Sequence, residues 1–308
     1  MEKIVIEHLD KFYGRKQVLF DINLTIGQGM FGLLGRNGAG KSTLMKTLAT
    51  LLPKVHGNVT VCGIPIEKAG KIRPLIGYLP QDFSMYPSMT VKDSMDYLGV
   101  LSGLPMDVRK KNTEILLKKV HLWEQQRKRV RALSGGMKRR LGIALSLLHE
   151  PKVLIVDEPT SGLDPEERIR FRNLLCEVAS DRIVILSTHI VEDIEATCEN
   201  IGILNDGRLL YNGTVEHLLE SAQGKVYTLE ADSRELAMLG QEYCITAMHK
   251  AGRKMHLRIL SDVKISEGQS CEPNIEDAYM LYLKESGVSV ALGGSGEYLT
   301  GGGSHAVY

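Results

Sequence analysis

The sequence predicts an α/β fold wrapped around a nucleotide-phosphate loop, with an α-helical insertion and a smaller unit of strands and helix behind it. Three observations carry that prediction. Gly35-Arg36-Asn37-Gly38-Ala39-Gly40-Lys41-Ser42-Thr43 has the spacing G-x-x-x-x-G-K-[ST]. Apolar runs with the texture of buried parallel strands occur at residues 30–34, 153–157 and 183–186. Between them, residues 91–150 show apolar spacing of helical period.

In chain order, Ile4-Val5-Ile6 and residues 19–26 read as strands, with Lys11-Phe12-Tyr13-Gly14 as a turn holding two aromatics. The phosphate loop follows the strand at 30–34. It precedes a helix whose apolar face is Leu44, Leu48, Leu51 and Leu52. Residues 57–61 and 76–81 read as further strands. Helices are expected over 91–102, 107–121 and 134–149, with Pro105 breaking between the first two. Strand 153–157 ends in acid. Helix 165–179 opens on Pro165, strand 183–186 follows, and then a short helix over 190–197. Strands near 201–205 and 208–212, turned by Asp206-Gly207, close the first domain.

Beyond residue 222, Tyr227, Leu229 and Ala231, and then Met255, Leu257 and Ile259, alternate with polar neighbours, and a helix at 275–284 follows. The chain therefore divides into 1–222, with a helical part at about 82–150, a small domain at 223–285 and a tail at 286–308. Seven glycines in that tail predict flexibility.

Composition excludes several classes. The 308 residues are 43% hydrophobic and 24% charged, as in a soluble globular protein, and the net charge of +1 gives no global pull toward nucleic acid or anionic lipid. The five cysteines are scattered and form no C-x-x-C, which favours reduced thiols over a disulfide frame or zinc site. The first residues read as a strand, not a signal peptide, and no apolar run approaches the roughly 18 residues that cross a bilayer.

The chemistry of the loop follows from its residue types. Its glycines let backbone N–H groups turn inward on an anion, and the helix start at Lys41 adds a positive end. Lys41 reaches the β- and γ-phosphates, and the Ser42 hydroxyl suits Mg²⁺. Asp157, at a strand end beside such a loop, would complete the metal shell. Glu158 would point elsewhere and could orient or deprotonate a water. A solvated acidic strand end is the bland alternative, which the phosphate loop weighs against. Ser134 reads as a helix N-cap, and the bare N–H groups of Gly135 and Gly136 suit a second phosphate contact. An ordinary capped helix start is the alternative there.

Gln81, Leu133-Ser134-Gly135-Gly136, the strand into Asp157-Glu158, Ser161-Gly162-Leu163-Asp164 and His189 follow the loop in that order. Over residues 1–222 the chain thereby resembles the ATP-binding subunit of an ABC transporter. The resemblance implies a P-loop NTPase cassette: a mixed sheet core with an antiparallel β subdomain and an α-helical insertion, plus here a small α+β C-terminal domain. It implies ATP and Mg²⁺ as ligands. It also implies a head-to-tail dimer with a second copy or a homologous cassette, in which Ser134, Gly135, Gly136 and Asp164 act in trans on the ATP held by residues 35–43. By the same resemblance Glu158 matches the catalytic base and His189 the switch residue at the γ-phosphate. Gln81 matches the glutamine on Mg²⁺ and water, and Tyr13 the aromatic on adenine, with Phe12 as its competitor. Ser42, Gln81 and Asp157 form the metal set. Taken singly, each of these has a plain structural reading; their joint order is what lifts them.

Met137 stands where many relatives carry Gln. With Lys138-Arg139-Arg140 after it, and with Pro273-Asn274-Ile275-Glu276-Asp277-Ala278-Tyr279 near the end, the chain resembles the drug-, antibiotic- and lipid-exporting branch. That implies a separate multi-span membrane permease and a peripheral place at the cytoplasmic face of the cell membrane. The apolar residues of 83–89 would be the contact, or else would tuck into the helical insertion. The basic residues of 127–140 read as a solvated helical face that adds positive potential near bound ATP, in preference to a patch for nucleic acid or lipid headgroups, and no nucleic acid is expected. A soluble non-transport ATPase acting on ribosomes or DNA is the rival from another class. An importer ATPase is a third reading.

Overall fold

The structure, a computed structural model, describes residues 2–54, 56–265 and 268–287. These fall into two compact units, Met1–Leu218 and a second that begins at Leu219.

The first unit is an α/β cassette built on a six-stranded sheet. Its order is Arg208–Thr214, Asn200–Asn205, Gly29–Leu34, Ile183–Thr188, Val153–Asp157, Ile76–Leu79. The outermost pair, Arg208–Thr214 with Asn200–Asn205, is antiparallel, and every other pairing is parallel. Val153–Asp157 and Ile183–Thr188 are buried at every position. Both faces of these strands are covered, so they read as continuous apolar runs instead of alternating ones.

Register then sets the site. Leu34 pairs with Thr188, Asp157 with Ser187, and Leu79 with Val156. The residues that follow these strands, Gly35, His189, Glu158 and Pro80-Gln81, emerge together at the carboxyl end of the parallel sheet. That is where open α/β sheets bind ligands.

A second, antiparallel sheet runs Lys16–Ile26, Ile4–Tyr13, His56–Val61, Ile64–Pro65. Ile4, Ile6, Ile22, Leu24 and Ile26 point into the core that it shares with Phe31, Leu44 and Ile155. The expected aromatic turn at residues 11–14 is corrected here. Lys11, Phe12 and Tyr13 are strand, paired with Leu19, Gln17 and Lys16. Only Gly14 and Arg15 make the turn. Packing overrides the turn signal: Lys11 is buried and donates to the Pro53 carbonyl, and Phe12 meets His56 edge-on.

The helical insertion holds Val91–Leu101, Met106–Lys119 and Gly135–Leu147. Thr90 and Asp93 form a capping box, and Pro105 is the N-cap of the second helix. Within 83–89, Phe83 packs inward, so close that a Cβ on Gly142 would lie 3.1 Å from its ring. Tyr86 stays exposed and meets Tyr97 edge-on at 5.7 Å.

The second unit is α+β. Its antiparallel sheet runs Cys244–Ala251, Lys254–Leu260, Val226–Ala231, Gln269–Ser270, with helices Leu236–Glu242 and Ile275–Glu285. The helix at 236–242 and the strand at 244–251 were not legible in the sequence. Asp277 is wholly buried, where it caps its helix with Asn274 and accepts from Thr246 and Arg258. All five cysteines are free. Ser286 ends the last helix, and residues 288–308, most of the expected flexible tail, lie outside the described residues. Among the described residues no helix is long and apolar enough to cross a membrane.

Candidate functional site

The loop at 35–43 is shaped by two glycines above all. A Cβ on Gly35 would lie 2.2 Å from the Leu204 carbonyl oxygen, so the neighbouring strand permits no side chain. Gly40 has φ +107, which lets the chain turn directly into the helix Lys41–Leu48 and leaves the first N–H groups of that helix facing the loop. The Gly207 N–H donates to the Ala39 carbonyl at 2.9 Å and ties the loop to the next hairpin. A cavity of about 250 Å³ opens over the loop. Residues 36–38 and 40–43 line it, with Gln81, Glu158 and Val18.

Lys41 is only 3% exposed, and its ammonium is bound three ways. It donates to the Gly35 carbonyl at 2.6 Å and the Arg36 carbonyl at 3.2 Å, and pairs with Glu158 Oε1 at 3.1 Å. Glu158 reaches it from an unusual backbone. Its φ is +46, a left-handed conformation that costs a non-glycine residue about 1–2 kcal/mol. The Glu158 N–H donates to the Ser187 carbonyl at 2.9 Å, and its second oxygen, Oε2, lies 2.8 Å from His189 Nδ1. With its proton on Nδ1, the imidazole donates to the carboxylate. Lys41, Glu158 and His189 thus form one chain of charged and polar groups across three adjacent parallel strands. Such a carboxylate, at a cavity wall between a cation and a proton-carrying ring, can orient a water and take its proton.

Asp157, the last residue of its strand, does not line the cavity. It is 2% exposed, and its Oδ1 has no hydrogen-bond partner. Burying such an acceptor unpaired is costly. Ser42, Gln81 and Asp157 offer only oxygen donors, the set a hard dication takes. The orphaned carboxylate oxygen is the place where one would fit. Burial and the Asp157 charge also push the Tyr78 phenol up to about 12, so it stays a neutral hydroxyl beside that carboxylate.

The structure brings the loop residues, Gln81 and Glu158 together around one cavity, and His189 joins them through its contact with Glu158. It does not bring the others. Asp157, Ser134, Gly135, Gly136, Asp164 and Tyr13 are absent from the cavity lining. Ser134 Oγ caps its helix by accepting from the Met137 N–H at 3.2 Å, and Asp164 caps the helix Pro165–Ala179 by accepting from the Glu167 N–H at 2.9 Å. Gly136 faces Glu167 so closely that a Cβ would lie 2.5 Å from its carboxylate. Tyr13 is 47% exposed at its strand end, with Lys11 Nζ 5.8 Å from its ring centroid.

Sequence reasoning passed over two residues. Val18 lines the cavity, with no pattern to mark it among ordinary strand valines. Arg139 was read as part of a solvated basic face. Its guanidinium instead holds the Pro80 carbonyl at 3.3 Å and the Gln81 carbonyl beside it. The clustering of basic residues directly after Ser134-Gly135-Gly136 was the available signal.

Known proteins resemble this chain in sequence and in fold. A protein-family model described as "ABC transporter" matches residues 19–161. The linearmycin resistance ATP-binding protein LnrL of Bacillus subtilis (strain 168) is 36% identical over 221 residues, covering 71% of each chain. A Nod factor export ATP-binding protein I of Cupriavidus pinatubonensis is 36% identical over 230 residues, covering 72% of this chain and 71% of that one. Among solved structures, CbiO1 from Clostridium perfringens, part of the ABC transporter complex CbiONQ, superposes with a TM-score of 0.65. It shares 30% identity and covers 70% of this chain and 90% of its own.

Proposed function

This chain belongs to the ABC transporter family as an ATP-binding protein of exporter-like type, and on that premise we propose that it hydrolyses ATP to drive export through a separate membrane subunit. The observation that carries the reading is the Lys41–Glu158 pair at the wall of the phosphate-loop cavity, with His189 on the second carboxylate oxygen of Glu158.

In this reading the loop N–H groups and Lys41 hold the β- and γ-phosphates. The incoming γ-phosphate replaces Glu158 as partner of the Lys41 ammonium. Glu158 is then free to orient the attacking water and accept its proton, while His189 keeps hold of Oε2 and faces the γ-phosphate. Gln81 orders the same water from the opposite loop. Mg²⁺, held by Ser42, Gln81 and Asp157, would neutralise charge on the phosphate oxygens. Tyr13 stacks on the base. Ser134, Gly135, Gly136 and Asp164 serve the site of a second copy or a homologous cassette, which fits their absence from the cavity lining in their own chain.

The membrane partner is a multi-span permease at the cytoplasmic face of the membrane. Exposed Tyr86, above inward-packed Phe83, supports a contact in that region. The exported cargo is in the class of drugs, peptides or lipids, which the resistance and export relatives support.

Glu158→Gln tests the reading. The variant keeps MgATP affinity and loses about 10²–10⁴ in hydrolysis rate, the usual worth of a positioned base. Hydrolysis at the parent rate would refute the assignment.

A further inference from the structure

Asp193 is wholly buried in the short helix Val191–Thr197, four residues after His189. Its Oδ2 accepts the Thr160 hydroxyl and, at a longer 3.5 Å, the Thr188 hydroxyl. Thr160 lies two residues after Glu158, and Thr188 immediately precedes His189. Both threonines are 1% exposed. Thr188 Oγ1 also accepts the Ile190 N–H at 3.0 Å, so the turn carrying His189 is fastened on both sides. The charge on Asp193 is met by Arg172, whose Nε lies 3.6 Å from Oδ1 and whose guanidinium also donates to the Glu192 carbonyl at 2.9 Å. A buried ion pair of this kind adds little net stability over well-packed apolar groups. It does fix where its partners sit.

We propose that Asp193 is a positioning residue. Through Thr160 and Thr188 it locks the segment after Glu158 to the turn before His189, so that the His189 ring meets the carboxylate that Glu158 presents at the cavity wall. The kinetic consequence rests on the ATPase reading above; the structural one does not. Without the lock, Glu158 drifts from the attacking water. Displacement of a catalytic group by about 1 Å costs as much as 10²-fold in rate.

Thr160→Val removes only the hydroxyl, in a side chain of the same shape. In the purified full chain it should lower kcat by about 10- to 100-fold and leave KM for ATP unchanged. Thr160→Ser, which restores the hydroxyl, should restore kcat. Asp193→Asn should lower kcat likewise, and adding Thr160→Val to it should lower kcat no further. Hydrogen exchange of the nucleotide-free chain should quicken in residues 158–164 and 187–191 in both single variants and nowhere else.

The proposal is overturned if Thr160→Val keeps the parent kcat, if its loss is shared equally with KM, or if serine does not rescue it. Should the parent and Glu158→Gln hydrolyse ATP alike, the ATPase reading fails on its own. Exchange then decides the lock, and unchanged exchange in both segments overturns it.

Discussion

Glu158 holds a left-handed backbone, accepts a cation on one carboxylate oxygen and faces an imidazole on the other. Strain of that kind persists where the surroundings over-determine it, and here a backbone hydrogen bond to Ser187 and the buried Lys41 do so. Lys41 is therefore a structural counter-ion as well as a phosphate ligand. Lys41→Met should weaken MgATP binding below detection in a titration. It should also cost about 3 kcal/mol of stability in denaturant, the low end for breaking a buried pair, because His189 still faces Oε2. Unchanged stability would mean that the Lys41–Glu158 contact carries no weight without nucleotide. The loop spacing and the acid pair were legible because each is written in consecutive residues. The contact between them was not, because it depends on the strand Ile183–Thr188 lying between two strands far apart in sequence.

Among the elements, the parallel strands were readable from their apolar runs, and two helix starts from Ser134 and Pro165. The strand at Lys11-Phe12-Tyr13 was not, since Gly14 and two aromatics read as a turn until the packing of Phe12 on His56 is known. Asp193 was equally silent. A single acid among Glu192 and Glu195 reads as a solvated helix face, and only the fold turns it inward.

The join between the helical insertion and the sheet carries a pH dependence. His149 lies half-buried after the helix Gly135–Leu147, with its Nε2 3.1 Å from the Ile76 carbonyl oxygen. Burial holds its imidazole below the ordinary value of 6.5, against the smaller upward pull of that carbonyl. The unfolded chain therefore takes up this proton first. The contribution of His149 to stability is intact above pH 6.5 and falls away as pH drops below it. His149→Gln keeps a donor for Ile76 and should flatten the stability profile in that window by comparison with the parent. An identical slope in both proteins would assign the effect to other groups.

At the scale of the whole molecule, the first unit holds two sets of phosphate-directed groups that do not meet. Lys41, Gln81 and Glu158 share a cavity, whereas Ser134, Gly135 and Gly136 start a helix outside its lining. Their order in the sequence resembled a dimeric cassette, and their separation in the fold supports a site completed only by another copy. The second unit was legible in outline from alternation at Tyr227, Leu229 and Ala231. Its helix at 236–242 is only seven residues long, and the edge strand beside it, Cys244–Ala251, shows no regular apolar–polar alternation, so neither stands out.

The most direct test is sedimentation of the Glu158→Gln variant with and without MgATP. We expect a monomer without nucleotide and a stable dimer at saturating MgATP, held by two nucleotides that cannot be hydrolysed. A variant that binds MgATP and still sediments as a monomer would contradict the claim that this cavity is half of a site.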